Sequence, residues 1–130
     1  MELFVTYDEY CAEVIEDDGE QYGWRHDRYE ASIERVYADR EEFSTPYYES
    51  FEVECDEVPE KVYVVYARYS TGSTFGRSEG RLAIEGVYLT RDEAKAVVKS
   101  VNDGKYKGYA PWEGYFETLE SIDWESFEVR

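Results

Sequence analysis

The chain has 130 residues, of which 42% are hydrophobic and 35% charged, and its formal net charge is −17. This length predicts a single domain with a sizeable core, and the aromatic content of 18% excludes a disordered acidic tail. No apolar run approaches the roughly 20 residues that span a bilayer. The first residues, MELFVTYDEY, lack the basic and apolar regions of a secretory signal. The composition therefore predicts a cytoplasmic protein without a membrane segment.

Two parts of the chain are similar to each other, which predicts an internal repeat. The stretch ASIERVYADREEF matches LAIEGVYLTRDEA, with Ile33 aligned to Ile84 and Glu34 to Glu85. In chain order, the blocks 3–10, 31–43 and 47–52 match 62–69, 82–94 and 115–120. Three similar blocks in the same order predict a duplicated unit of about 60 residues. We therefore divide the domain into a first unit, 1–60, and a second unit, 61–130.

The second unit has the clearer local signals. Residues 62–69 are rich in Val and Tyr, and 82–89 are similar, so both are expected to be strands. The Gly-, Ser- and Thr-rich segment 69–80 is interpreted as the connection between them. A last strand is expected over 114–120.

A helix is predicted between these strands, over about 91–102. Thr90 is a suitable N-cap, and Glu93 lies three residues later, as in a capping box. An apolar stripe with helical spacing follows, and Asn102–Gly104 is a stop signal. The stripe residues are Ala94, Val97, Val98 and Val101.

Residues 28–42 carry two conflicting signals. Several of them have the spacing of a helical stripe; these are Tyr29, Ile33, Val36 and Tyr37. The repeat instead predicts a strand over 31–38, and it leaves only 39–47 for a helix, which Pro46 would shorten. We follow the repeat, with further strands at 3–10 and 47–53. The expected fold is α+β, an antiparallel sheet built from two tandem β-β-(α)-β units with the one clear helix packed on it.

The charge is distributed unevenly along the chain. Residues 1–60 contain 20 Asp and Glu, 4 Arg and no Lys, whereas residues 61–130 contain 11 acidic and 10 basic residues. The first unit therefore carries −16 of the net −17. Such self-repulsion costs stability, and a basic partner would offset that cost.

Two acidic clusters in the first unit are candidate partner-binding sites. Glu16, Asp17 and Asp18 lie in a segment expected to be a loop. In 51–58, alternation places Glu52, Glu54 and Asp56 on one strand face, opposite an apolar face of Phe51, Val53 and Cys55. Carboxylates two residues apart on a strand are separated by about 6.6–6.8 Å, a spacing of the same order as that of nucleic-acid phosphates. The alternative is that these acids are only the solvated side of an edge strand.

No pattern in the sequence indicates catalysis, a metal or a cofactor. Cys11 and Cys55 could pair, although reduced thiols are expected. The one histidine, His26, has no partner in a recognisable motif, so a surface or structural role is expected. The acids of 16–20 lack the ligand spacing of a calcium loop. We therefore expect a protein that is not an enzyme.

The segment 69–80 supports an alternative function. Its Gly and hydroxyl residues could cradle a phosphorylated ligand or nucleotide, bound by Ser73, Thr74 and Arg77. It is not a Walker loop, since the Gly-Lys-Ser/Thr sequence and a following helix are both missing. A plain hairpin connection is the competing interpretation.

The strings VVYARYSTGSTFGRSEG, IEGVYLTRDEA and WEGYFETLE resemble small, mostly uncharacterised proteins encoded by bacteriophages and prophages, over about 62–120. The resemblance assigns no residue a role. It implies a context in which small acidic proteins inhibit host defence, including DNA mimics that act as anti-restriction or anti-CRISPR proteins. The leading hypothesis is a non-enzymatic DNA mimic that occupies the basic groove of a host nuclease or other nucleic-acid-binding protein, without binding nucleic acid itself. A further alternative is an acidic globular protein of a halophilic host with no inhibitory role.

Overall fold

A computed structural model describes residues 1–16, 24–73, 76–102 and 116–130. The elements in chain order are β1 (Glu2–Glu16), β2 (Trp24–Tyr37), a 3₁₀ helix (Arg40–Glu42), β3 (Tyr48–Glu52), β4 (Lys61–Ser73), β5 (Gly76–Tyr88), α1 (Arg91–Ser100) and β6 (Phe116–Glu128). The α+β class is confirmed. In the part of the chain that the structure describes, no helix has the length and apolar character needed to cross a membrane.

The six strands form one sheet in the order β3-β1-β2-β5-β4-β6. Within each half the strands are antiparallel, with β1 central in the first half and β4 central in the second. A short parallel pairing of β2 with β5 joins the two halves. After the end of β6, Val129 forms an isolated parallel β-bridge with Val36 of β2, and the Arg130 amide donates to the Val36 carbonyl at 2.9 Å. The end of β6 thus returns to β2.

The strand that the repeat predicts over 31–38 is present, as part of β2, which runs from Trp24 to Tyr37. The structure also explains the helical spacing of the apolar residues. Thr6 pairs with Arg35 and Tyr7 with Ile33, so Glu34 is an extra residue that forms a β-bulge. A bulge shifts the alternation of a strand by one residue. Ile33 and Val36, three apart, can therefore both pack in the same core.

The second half has the same bulge in the same place. Val65 pairs with Gly86 and Tyr66 with Ile84, which leaves Glu85 as the extra residue. Glu85 is the residue that the sequence match aligns with Glu34. The first two strands of the two halves therefore correspond in register as well as in sequence.

The third block of the sequence match is wrong for the second half. In the first half Phe4 pairs with Ser50, and in the second half the equivalent Tyr63 pairs with Ser126. The structural counterpart of 49–53 is therefore 125–129, and both segments read ESFEV. The block at 115–120 is less similar to 47–52, and its described part forms the beginning of the long strand β6.

The contact between the two halves has approximate two-fold symmetry. In the parallel pairing, the backbone of His26 pairs with that of Arg77, and the backbone of Arg28 with that of Glu79. These pairs have the same sequence offset as Ile33 and Ile84. Each residue thus lies opposite its own counterpart, as expected where an approximate two-fold axis runs along the strands. Near this junction the Arg68 guanidinium donates to the Ala31 carbonyl of β2 at 2.6 Å.

The core consists of two clusters. The interface core lies between the halves and takes equivalent residues from each; its fully buried members are Leu3, Val5, Val36, Val62 and Val64, and Val53 is nearly so. The helix core lies beneath α1, where the fully buried Ala94 packs with Val65, Ala67, Tyr69 and Ile122. The predicted stripe and the Thr90 cap are confirmed, since the Thr90 hydroxyl accepts a hydrogen bond from the Glu93 amide at 3.3 Å.

The first half has a 3₁₀ helix where the second half has α1. Asp39 caps it, as Thr90 caps α1, and Arg40 begins it, as Arg91 begins α1. The Arg40 guanidinium carbon lies 4.5 Å from the ring centroids of both Phe43 and Tyr48. An aromatic cluster stabilised by a cation therefore covers part of the outer face that α1 covers in the other half.

Candidate functional site

Several exposed carboxylates of the first half lie around β3, at one edge of the sheet. Phe51, Val53 and Cys55 pack against the interface core, as the alternation predicts. The side chains that face solvent here include Glu49, Glu52, Glu54 and Asp56. Glu2 on β1 pairs directly with Glu52 and is also exposed. We name Glu2, Glu49, Glu52 and Glu54 the first edge.

The regular spacing expected for 52–56 is wrong. Strand β3 ends at Glu52, and the amide of Cys55 then donates to the Val53 carbonyl at 3.0 Å, which bends the chain. The strand spacing of about 6.6–6.8 Å therefore does not extend to Glu54 and Asp56. The side chains are exposed as predicted, but they form an irregular cluster of charge and not a straight row.

The equivalent edge of the second half provides a comparison within the same chain. Lys61 pairs with Glu128 as Glu2 pairs with Glu52. Arg130 follows the second ESFEV string as Glu54 follows the first. We name the equivalent residues the second edge; they are Lys61, Glu125, Glu128 and Arg130.

The two edges share their backbone register and two glutamates but differ in charge. The four residues of the first edge are all acidic, for a formal charge of −4, whereas two acids and two bases give the second edge a charge of zero. The difference arises at two positions, Glu2 against Lys61 and Glu54 against Arg130. The structure thus locates part of the charge asymmetry on matched surfaces.

The first edge has little internal compensation. The Met1 ammonium donates to Glu52 Oε1 at 2.8 Å, and this hydrogen bond raises the pKa of the ammonium above its ordinary value. Glu54, Asp56, Glu57 and Glu60 have no ion-pair partner among the described residues. These carboxylates are therefore available to an external cation.

The other acidic cluster does not join the first edge in the described structure. Glu16 is the last residue of β1, which makes its segment strand and not loop up to that residue. Its backbone pairs with Trp24, at the opposite end of β1 from the pairing of Glu2 with Glu52. Asp17 and Asp18 lie outside the described residues.

The segment 69–80 is mainly strand, because β4 extends to Ser73 and β5 begins at Gly76. The connection between the two strands is therefore shorter than the expected 69–80, and the competing interpretation as a plain hairpin agrees with this pairing. Strand pairing continues to Ser73 with Gly76, and Gly72 pairs with Arg77. Backbone pairing of Arg77 with His26 of β2 further fixes this segment in the sheet. Thr74 lies outside the described residues. The backbone of Ser73 and Arg77 thus belongs to a hairpin and not to an open Gly-rich loop.

Cys55 is a free thiol. Its Sγ lies 3.9 Å from Met1 Sδ, beside the interface core. Among the described residues, no group of three or more His, Cys, Asp or Glu is arranged to hold a metal ion.

Comparison with known proteins gives no match to a family model, a curated protein or a solved structure.

Proposed function

We propose that this protein is a non-enzymatic nucleic-acid mimic that binds the basic groove of a nucleic-acid-binding protein through its first edge. The observation that supports this proposal most is the contrast between two matched edges. The same fold and the same ESFEV string carry a charge of −4 on one side and zero on the other. The fold itself therefore does not require the charge of the first edge.

Protection of an edge strand is a weaker explanation for this charge. Charged side chains on edge strands prevent pairing with other chains. The second edge achieves such protection with Glu125 and Glu128 balanced by Lys61 and Arg130. The additional acids of the first edge, Glu2 and Glu54, exceed what this role needs.

The proposed mechanism is competitive. The net charge of −17 attracts a basic surface over long range and speeds association. At contact, the carboxylates of the first edge would pair with the Lys and Arg side chains that otherwise bind phosphates. The resemblance to phage proteins suggests a restriction or CRISPR nuclease as the target, and this suggestion depends on the resemblance alone.

The experiment is a capture assay with a defined pool of nucleic-acid-binding proteins. The pool is prepared from a bacterial lysate by elution from heparin and is applied to the immobilised protein at low salt. If the protein is a mimic, it should retain a partner, and added duplex or single-stranded DNA should compete for that partner and release it. Retention should also disappear at about 0.5 M NaCl, where the Debye length is about 4 Å.

Two outcomes would contradict the proposal. The first is that no protein is retained at any salt concentration. The second is that a partner is retained but DNA does not compete for it. The halophilic alternative is tested separately by circular dichroism, because it expects the fold to be lost at low salt, whereas the mimic folds there.

A further inference from the structure

Strand β3 is the last strand of the sheet, and among the described strands it pairs only with β1. The Val53 amide donates to the Met1 carbonyl at 2.8 Å, and the Tyr7 amide donates to the Tyr47 carbonyl at 3.1 Å. Hydrogen-bonded and non-hydrogen-bonded pairs alternate along an antiparallel ladder. These two bonds therefore show that the odd-numbered residues from 47 to 53 turn their backbone groups towards β1.

The even-numbered residues of β3 turn their backbone groups away from β1. They are Tyr48, Ser50 and Glu52. None of their backbone amides or carbonyls has a hydrogen-bond partner in the described structure. Ser50 and Glu52 are exposed. We name the backbone amides and carbonyls of these three residues the open side of β3.

The second half ties down the position that follows its equivalent strand. The Arg130 amide donates to the Val36 carbonyl, and the Arg130 carbonyl accepts from the Ala38 amide, both at 2.9 Å. Glu54 takes the place of Arg130 in the first half, but no such bond joins it to the described residues of β5 or to those after β5. The chain bends there instead. The end of β6 is thus attached to β2, whereas β3 lacks this attachment to the other half.

A cavity lies where β3 approaches β5. Its volume is about 60 Å³, and it is lined by Tyr7, Glu49, Leu82 and Ile84. The two strands are not paired with each other. Because Glu49 has the same orientation on β3 as the core-facing Phe51, a strand added to β3 would point every second side chain towards this partly apolar cavity.

The charge of the first edge determines which kind of strand fits. Glu2 and Glu52 are directly paired and exposed, so they lie on the same outward face. Lys or Arg at alternate positions of an added strand would lie beside them. A second copy of this chain would bring its own charge of −4 to the same place, so charge opposes the pairing of two β3 strands.

We propose that β3 binds an extended segment of the partner in which Lys or Arg alternates with apolar residues, and that this segment joins the sheet as a strand through the open side. The inference rests on the proposed function for the basic character of the partner, and it adds the conformation in which the partner is bound. In such strand addition, backbone hydrogen bonds supply affinity and alternate side chains supply specificity.

The test is calorimetric titration of the full chain with a capped peptide of alternating Lys and Val, slightly longer than the five residues of β3. Ser50→Pro removes one amide of the open side and leaves the bonds to β1 in place, since edge strands accept proline where the amide faces outwards. It should weaken binding at least about tenfold, because a hydrogen bond is lost and a peptide carbonyl is left unpaired.

Ser126→Pro is the matched control, because Ser126 of the second ESFEV string is the counterpart of Ser50 and forms the equivalent pair with β4. It should leave the affinity for the peptide unchanged. Circular dichroism verifies that both variants are folded. Equal affinities of the two variants would overturn the proposal, and so would a wild-type protein that does not bind the peptide.

A second measurement needs no variant of the protein. N-methylation at alternate residues of the peptide removes the amides on one side of its strand without changing its charge. One of the two alternate patterns should abolish binding and the other should not, and the bound peptide should slow amide exchange at Ser50 and Glu52. Equal tolerance of both patterns would show that charge alone is recognised. A wild-type dimer that Ser50→Pro converts to a monomer would also contradict the proposal, because a second copy would then occupy the open side.

The partner captured from the pool of nucleic-acid-binding proteins separates this inference from the mimic proposal. A partner that DNA displaces, but that binds Ser50→Pro as tightly as the wild type, supports the mimic and refutes strand addition. Peptide binding that depends on Ser50, without any captured partner, supports strand addition and refutes the mimic.

Discussion

The sharpest prediction of the mimic proposal comes from giving the first edge the charges of the second. Glu2→Lys with Glu54→Arg places on the first edge the residue types found at Lys61 and Arg130. Both glutamates are exposed, so the double variant should fold. Two charge reversals raise the net charge from −17 to −13.

The expected magnitude follows from Coulomb's law. Reversing a charge that contacts a partner cation at 4 Å changes the interaction by about 2 kcal/mol in water. Two reversals amount to about 4 kcal/mol, of which roughly two thirds remains at 0.1 M salt, where the Debye length is about 10 Å. Binding should therefore weaken about 100-fold.

The assay is titration of the captured partner against a surface carrying each variant. Glu120→Lys with Asp123→Lys is the charge-matched control, because it also gives −13 but changes exposed residues of β6. The control should retain most of the affinity and lose mainly association rate. Circular dichroism verifies that both variants are folded.

Equal losses in the two folded variants would refute the reasoning, because they would show that only total charge matters. Unchanged binding in both would remove the mimic proposal. A reciprocal experiment adds Lys61→Glu and Arg130→Glu to the edge variant. This exchange restores the net charge and moves the acidic surface to the second edge, where we expect binding to recover.

Three further predictions concern the fold. Val64→Ala, at a fully buried position of the interface core, should lower the free energy of unfolding by about 2–3 kcal/mol in urea denaturation; a smaller effect than about 1 kcal/mol would mean that the halves do not pack tightly. Arg40→Ala should cost about 1 kcal/mol and Arg40→Lys nearly as much, because the planar guanidinium between two rings is lost. The equivalent Arg91→Ala on the exposed face of α1 should be nearly neutral, and equal effects at the two arginines would contradict this assignment. Thr90→Ala should reduce stability by about 1 kcal/mol through loss of the helix cap, measured by thermal denaturation, and no change would show that the cap is dispensable.

Local signals were sufficient to predict α1. The Thr90 cap and the stripe that begins at Ala94 depend on residues a few positions apart, and the structure contains both. Strand β2 could be predicted only by comparison with the second half. Its bulge at Glu34 shifts the apolar pattern into helical spacing, so periodicity alone gives the wrong element.

The candidate site was only partly accessible from sequence. The alternation of the sequence predicted the exposure of Glu52, Glu54 and Asp56. The bend after β3 depends on a backbone hydrogen bond from the Cys55 amide, which no sequence pattern predicts. The sequence does contain a signal for the correct third block, because the string ESFEV occurs at both 49–53 and 125–129. The charge count by halves does not show that strand β6 is itself acidic. The bases that balance the charge of the second half lie partly outside this strand.

The cost of Glu2 to stability gives a final test of whether the first edge is maintained for binding. Glu2 lies directly across from Glu52, and like charges in this position are destabilising. The equivalent Lys61, across from Glu128, shows that the fold accepts a lysine here. Glu2→Lys alone should therefore raise the free energy of unfolding by about 0.2–1 kcal/mol, while Lys61→Glu should lower it by a similar amount.

A residue that is unfavourable for folding and required for binding is expected at a functional surface, where stability is lost for activity. The decisive combination for Glu2→Lys is therefore a gain in urea stability together with weaker binding of the captured partner. The Met1 ammonium already bonded to Glu52 reduces the gain but does not reverse its sign, because Glu2 adds a second negative charge beside that pair. If Glu2→Lys lowers stability, the acidic edge serves the fold itself, and the contrast between the two edges no longer supports a partner.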